Sequence, residues 1–164
     1  MQTAELETIL KVLVANRVRF ILIGGWAAVL HGSARATRDV NIVYARSREN
    51  LRALAAALHP YSPYLRGAPP GLPFSWSEAT LRNGLNFTLT TNEGDLDLLG
   101  DVPGGGSYEQ LLPQSVEIPA FGIRFHCVSL PTLIQLKRAA GRPKDLEAIA
   151  ELEALRDCGE VDQG

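Results

Sequence analysis

Cysteine is scarce in this chain: Cys127 and Cys158 are the only two among 164 residues, and neither belongs to a CxxC pair or a cluster of metal-ligating side chains. That excludes a disulfide framework and a thiolate metal site, and leaves two inert thiols of a reducing compartment as the expectation. His126 adjoins Cys127 but falls on the opposite face of any strand that holds both. Charge of one sign is also lacking. A formal net charge of −2 excludes a protein that coats nucleic acid by neutralising many phosphates, although five arginines between Arg35 and Arg52 leave a local basic patch open. Long apolar runs are absent too, since nothing approaches the ~20 residues that a bilayer-spanning helix needs. The opening "MQTAELETILKVL" carries acidic residues and no basic flank, unlike a secretory signal, so no membrane partner and a cytoplasmic location are expected. Internal repeats and low-complexity tracts do not occur.

What is present is ordinary for a folded domain: 46% hydrophobic and 21% charged residues. Leu6, Ile9, Leu10, Leu13 and Val14 recur at helical spacing over residues 3–15. "VRFILIG" predicts a short buried strand ending at Gly24, "GWAAVLHG" a helix of one or two turns, and "DVNIVYA" a second strand. His31, near the end of that short helix, is expected to pack or hydrogen-bond there. Ser47 is placed to cap a helix over "RENLRALAAAL", which stops before Pro60. Residues 59–82 contain five prolines and two glycines and are expected to form a long loop, with Tyr61, Tyr64, Phe74 and Trp76 either packed or free to stack on a base. "LNFTLTT" and "DLDLLG" predict an antiparallel hairpin joined by "NEG", and "QSVEIPAFGIRFHCV" a second one turning at Phe121 and Gly122. Between the hairpins, "GDVPGGGSYEQLLP" is expected to be a flexible excursion, hinged at its three glycines, with one helical turn. "PTLIQLKRAA" and "PKDLEAIAELEAL" predict two helices, each with proline at its start and Gly141 closing the first. The order α-β-α-β-α-β-β-β-β-α-α predicts one α/β (α+β) domain over 1–164. A mixed twisted sheet flanked by helices forms the core (18–128) and a helical pair (130–156) closes it.

Four stretches carry chemistry. A strand ending in Gly24-Gly25 before a helix is either a tight turn or a place where backbone N–H groups can approach a phosphate. The pair lacks the third glycine of a dinucleotide-binding fingerprint, and the later "GGG" lacks the Lys-Ser/Thr of a P-loop. In Asp39-Val40-Asn41 the period of two puts both side chains on one face, as oxygen ligands for Mg²⁺ or as a plain strand start. Asp95-Leu96-Asp97 repeats that spacing with two carboxylates, which need a cation or water to relieve their repulsion, unless Asp95 simply belongs to the turn. In "LKRAAGRPKD", Lys137, Arg138, Arg142 and Lys144 either complement a helix end or form a polyphosphate cluster with Asp145 orienting one cation.

Taken in order, the two glycines after a strand, the Asp-x-Asn and the later "LDLL" resemble the nucleotidyltransferase superfamily that includes DNA polymerase beta. More narrowly, "ILIGGWAAVLHGSARATRDVNIV" and "LKRAAGRPKDLEAI" resemble the small bacterial AbiEii-type toxins, over positions 20–150. The resemblance implies a nucleotidyltransferase fold and a Mg²⁺-dependent enzyme with one or two ions. It would move a nucleoside monophosphate from a nucleoside triphosphate to a hydroxyl acceptor, RNA or protein, with a cognate antitoxin as partner. Gly24, Gly25, Arg35, Thr37, Arg38, Lys137, Arg142, Lys144 and Asp145 are then expected at the nucleotide. Asp39, Asn41, Asp95 and Asp97 are expected at the metal, and Asp39, Asp97 and Lys137 in catalysis. Asn41 departs from the family's Asp-x-Asp. Its amide oxygen can ligate Mg²⁺ but brings no charge, which fits a one-metal enzyme, a nucleotide-binding protein without turnover, or an engineered inactivation.

Overall fold

The computed structural model describes residues 4–162. Helix α1 (Ala4–Ala15) buries the stripe of Leu6, Ile9, Leu10 and Leu13 that its spacing announced. Strand β1 (Phe20–Ile23) is buried throughout, and α2 (Gly24–Leu30) starts at the residue expected to end it. Strand β2 (Val40–Tyr44) follows, then α3 (Arg48–Leu58), whose Ser47 cap accepts a hydrogen bond from the Asn50 backbone. The hairpin of β4 (Asn86–Thr91) and β5 (Gly94–Leu99) and that of β6 (Ser115–Ala120) and β7 (Ile123–Val128) are both antiparallel. The second turns at Phe121 and Gly122 with φ of 56° and 77°, the positive pair that suits a two-residue hairpin loop. Helices α6 (Leu130–Ala140) and α7 (Pro143–Asp162) form the C-terminal pair, separated by Gly141 in the left-handed conformation.

Residues 59–82 are more structured than their composition announces. They hold a 3₁₀ turn (His59–Tyr61), the two-residue strand β3 (Tyr64–Leu65) and the start of α4 (Glu78–Asn83). A two-residue strand is too short to show alternation, and β3 exists because it pairs with β4. The excursion over residues 100–114 is likewise packed. Ser107 and Gln110 close a reciprocal capping box on α5 (Tyr108–Leu111), Val102 pairs with Gly106, and the Gly104 carbonyl accepts from Gln135 of α6.

All seven strands join one mixed sheet in the order β3-β4-β5-β2-β1-β7-β6. Strand β1 runs parallel to β7, and β2 runs parallel to β5. The β2–β5 pairing sets Asn41 opposite Asp97 and Val40 opposite Leu96. Partners across a ladder project to the same face, so Asn41 and Asp97 stand side by side on one face while Val40, Ile42, Leu96 and Leu98 fill the buried positions beside them. The thiols behave as expected. Cys127 is buried and its pKa is pushed up to about 12 by that burial, and Cys158 is exposed. Among the described residues no helix is long and apolar enough to cross a membrane.

Candidate active site

A two-residue step before Asn41 and Asp97 lie Asp39 and Asp95, so four oxygen-bearing side chains share one face of β2 and β5. Between them reaches a side chain that no motif pointed to. Arg66, just beyond β3, sets Nη2 2.8 Å from Asp97 Oδ1, Nε 3.4 Å from Asp95 Oδ2 and Nη1 3.6 Å from Asp39 Oδ2. Its Nη2 also donates to the Leu89 carbonyl, and its backbone N–H extends the β3–β4 pairing to Thr88. Three carboxylates facing one guanidinium leave a formal charge of −2. For Asp97, burial raises the pKa; the charge and hydrogen bond of Arg66 lower it, Asp39 and Asp95 raise it again, and the net direction is upward.

The donor set suits a hard divalent cation: carboxylate oxygens and the Asn41 Oδ1, which is buried and accepts no hydrogen bond. Among the described residues no three acidic, histidine or cysteine side chains converge as a metal site. The carboxylates are instead fanned around the guanidinium, each on a different nitrogen.

The Gly24-Gly25 turn abuts this face. Gly24 has φ of 74°, and a Cβ on it would overlap Asn41 Nδ2; a Cβ on Gly25 would overlap Thr37 Oγ1 and come within 2.8 Å of Thr37 Cβ. Both glycines are therefore required by neighbours that belong to the site, beyond any need of the turn itself. Gly25→Ala is expected to destabilise the fold by about 1–3 kcal/mol, the usual cost of forcing a methyl group into a filled space. Urea denaturation of Gly25→Ala, Thr37→Gly and the double variant checks it: the double variant recovers part of the loss if the Thr37 overlap is the cause.

Thr37, Arg35 and Arg38 ride on the segment after α2, and this segment is anchored from the far end of the chain. Glu151 of α7 accepts from Ser33 Oγ at 2.6 Å and from the Ala34 backbone at 3.2 Å, and its carboxylate lies 3.9 Å from Arg35 Nε. The Ser33 and Ala34 hydrogen bonds lower the Glu151 pKa. His31 packs as expected, with Nε2 2.7 Å from the Val128 carbonyl.

At the junction of α6 and α7, the Asp145 side chain is 1% exposed and receives Arg142 Nε at 2.6 Å and Lys137 Nζ at 3.4 Å. Burial opposes its ionisation, but the Arg142 hydrogen bond and the charges of Lys137 and Arg142 outweigh burial and hold the carboxyl below its usual range. Arg138 points elsewhere and pairs with Glu153.

One cleft of about 530 Å³ gathers these parts. It is lined by Gly24, Gly25, Arg35, Thr37, Arg38, Asp39, Asn41, Asp97, Lys137, Arg142, Lys144 and Asp145, so every residue expected at the nucleotide or the metal except Asp95 faces one space. Asp95 turns to Arg66 beside the cleft. The arginine-rich stretch does not form a patch: Arg35 and Arg38 line the cleft, whereas Arg46 donates to Tyr44 and to the Leu81 and Arg82 carbonyls, and Arg52 pairs with Glu78.

No family model matches the sequence. No curated protein matches it either. Solved structures do. The chain superimposes on the lincomycin-bound lincosamide antibiotic adenylyltransferase LnuA with a TM-score of 0.63 at 19% identity, covering 94% of this chain and 98% of that one. The chain has the nucleotidyltransferase fold. The antibiotic-resistance factor ANT(2'')-Ia superimposes in solution with a TM-score of 0.53 at 16% identity, covering 99% of this chain and 92% of its own. Its crystal structure with adenylyl-2''-tobramycin gives 0.52 at 16% identity and 97% of each chain. At these identities the likeness is one of fold, and the narrower resemblance to AbiEii-type toxins rests on sequence motifs alone.

Arg66 and Glu151 are the functional candidates that sequence reasoning missed. Arg66 follows a strand too short to announce itself, and Glu151 is one of seven acidic residues in the twenty of α7. Neither carries a motif. Only the packing of β3 on β4 and of α7 on the segment after α2 brings them in.

Proposed function

We propose that the chain is a Mg²⁺-dependent nucleotidyltransferase that moves a nucleoside monophosphate from a nucleoside triphosphate to a hydroxyl group of a small-molecule acceptor. The observation that carries this reading is the single cleft shared by the Asp39, Asn41 and Asp97 oxygens, the Gly24-Gly25 turn and the Lys137, Arg142 and Lys144 cations. In the reaction, the acceptor oxygen forms a bond to the α-phosphorus, the bond to pyrophosphate breaks, and the acceptor proton passes to Asp97. Gly24 and Gly25 line the cleft at the start of α2, where the first backbone N–H groups, which no side chain caps, are available to the triphosphate. Lys137 and Arg142, oriented by Asp145, and Arg35 and Arg38, on the segment held by Glu151, supply positive charge toward the phosphates. Asp39, Asp97 and the Asn41 amide oxygen, with Asp95 at the margin, would hold Mg²⁺. When bound, the ion supplies charge neutralisation for the triphosphate and the departing pyrophosphate. Asn41 brings no charge, which favours one ion over two.

A small acceptor is supported by the aromatic residues of the 59–82 segment. Trp76 donates to the Ala55 carbonyl, and Tyr64 and Phe74 meet edge to face with centroids 5.8 Å apart, so three of the four are engaged with the protein instead of forming a stacking platform for bases. Small antibiotics are also what the structures of similar fold carry, lincomycin in one and an adenylylated tobramycin in another.

Asn41 favours a second reading, a nucleotide-binding protein without turnover. One experiment separates the two. The protein is incubated with each labelled nucleoside triphosphate, Mg²⁺ or Mn²⁺, and, in separate reactions, aminoglycosides, lincosamides, total RNA and cell protein. Pyrophosphate release with a gain of one nucleotide in a small acceptor supports the proposal. Label in RNA or protein instead returns the toxin-like acceptor and its antitoxin. Nucleotide binding without product, even for Asn41→Asp, supports the second reading and ends the first.

A further inference from the structure

We propose that Arg66 is a tethered counter-cation that holds the place of a divalent ion among Asp39, Asp95 and Asp97, so that an ion enters this cluster only by displacing the guanidinium. The inference rests on the proposed reaction only in taking that cluster as the metal-binding one. Three observations carry it. Each carboxylate meets a different nitrogen of one guanidinium, at 2.8, 3.4 and 3.6 Å, so a single side chain spans all three. The three carboxylates do not converge on one another as a metal site among the described residues; each is turned to the guanidinium. And the side chain is incompletely satisfied where it sits. Arg66 Nε is buried without a hydrogen-bond partner, and only Nη2 makes hydrogen bonds, to Asp97 and Leu89.

Its place in the chain suits displacement. Arg66 directly follows the two-residue edge strand β3, and Gly67, with φ of 77°, comes next in a segment rich in proline and glycine. The guanidinium carries one positive charge and has its nitrogens turned to the three carboxylates, whereas a divalent ion carries two charges and can take a phosphate oxygen as a further ligand. The exchange therefore replaces one positive charge among three carboxylates by two, on an ion that can also take a triphosphate oxygen. It also gives Asn41 a reason within this chain: an aspartate there would set another carboxylate directly beside Asp97, across the β2–β5 ladder, with one arginine to balance four acids.

The test is Mn²⁺ binding to the full chain, by isothermal titration calorimetry and Mn²⁺ paramagnetic resonance, without nucleotide or acceptor. Arg66→Gln is expected to bind Mn²⁺ at least about ten-fold more tightly than the native protein, since a full charge next to the ion is removed. Arg66→Lys, which keeps the charge and the fold but cannot span three carboxylates, is expected to fall between them. In the native protein, Mn²⁺ is expected to increase hydrogen exchange of the backbone amides of residues 64–68, which a merely structural arginine would not do. Equal or weaker Mn²⁺ binding by Arg66→Gln with native-like binding by Arg66→Lys overturns the proposal, as does absence of Mn²⁺ binding in all three proteins. Failure of the transfer assay with the Mn²⁺ affinity shift intact removes the proposed reaction and leaves this inference standing.

Discussion

Asp97→Asn is expected to lower nucleotidyl transfer roughly a thousand-fold, within the range for removal of a positioned base, while the folded protein stays as stable as the native one or more so. The two halves of that expectation have separate causes. Asp97 lies on the cleft beside Asn41, where an amide can neither take the acceptor proton nor contribute charge to a metal. For folding, the same substitution removes a charge that Asp39 and Asp95 repel, and the amide oxygen can still accept from Arg66 Nη2. Pyrophosphate release together with urea denaturation checks it. Activity lost with unchanged stability separates a role in the reaction from one in the fold. A fall in stability that matches the loss of activity would make Asp97 structural. Asp95→Asn provides the comparison: Asp95 is outside the cleft lining, and its replacement is expected to cost much less activity.

Asp145→Asn is expected to cost about 2–3 kcal/mol at neutral pH. Removing one partner of a fully buried ion pair costs about 3–5 kcal/mol, but here the burden is shared unequally. The Asp145 side chain is 1% exposed and Lys137 19%, whereas Arg142 is 58% exposed and can recover water when its partner goes. The pH dependence gives the sharper test. Because the folded-state pKa of Asp145 lies below that of the unfolded chain, its contribution is present in full above the ordinary aspartate value of about 3.9. It is lost as pH falls through the lower folded value. Denaturation midpoints of the two proteins from pH 7 down to pH 2 should therefore converge in acid. Curves that stay parallel would show that the carboxylate charge is not what Asp145 contributes. Because Asp145 orients Lys137 and Arg142, the same variant should also weaken nucleotide binding at neutral pH, read by calorimetry.

Much of the fold could be read from local signals, because those signals are local in origin. The apolar stripe of α1, the Ser47 cap, Gly141 at the end of α6 and the Phe121-Gly122 turn are each decided by a few neighbouring residues. One such signal went unread: Ser107 and Gln110 have the spacing of a capping box, and α5 stands on it. Strand β3 left nothing to read, since two residues have no alternation and pair only because β4 presents an open edge. In the site, the spacing of two put Asp39 with Asn41 and Asp95 with Asp97, but not the two pairs beside each other. The parallel β2–β5 register, which brings Asn41 level with Asp97, is a long-range fact.

The amino-acid sequence by itself determined α1, α2, α3, α6 and α7, the two hairpins, the paired oxygens on each strand and the basic junction at Gly141, because short-range periodicity and backbone preference act within a few residues. Only the tertiary structure decided that these parts meet in one cleft. It also decided that Asp145 is the buried partner of two cations, that Glu151 anchors the segment of Arg35 and Thr37, and that Arg66 lies among three carboxylates. Charge acts across space irrespective of position in the chain, and a residue in an unpatterned segment gains its electrostatic role only when strand pairing delivers it to its partners.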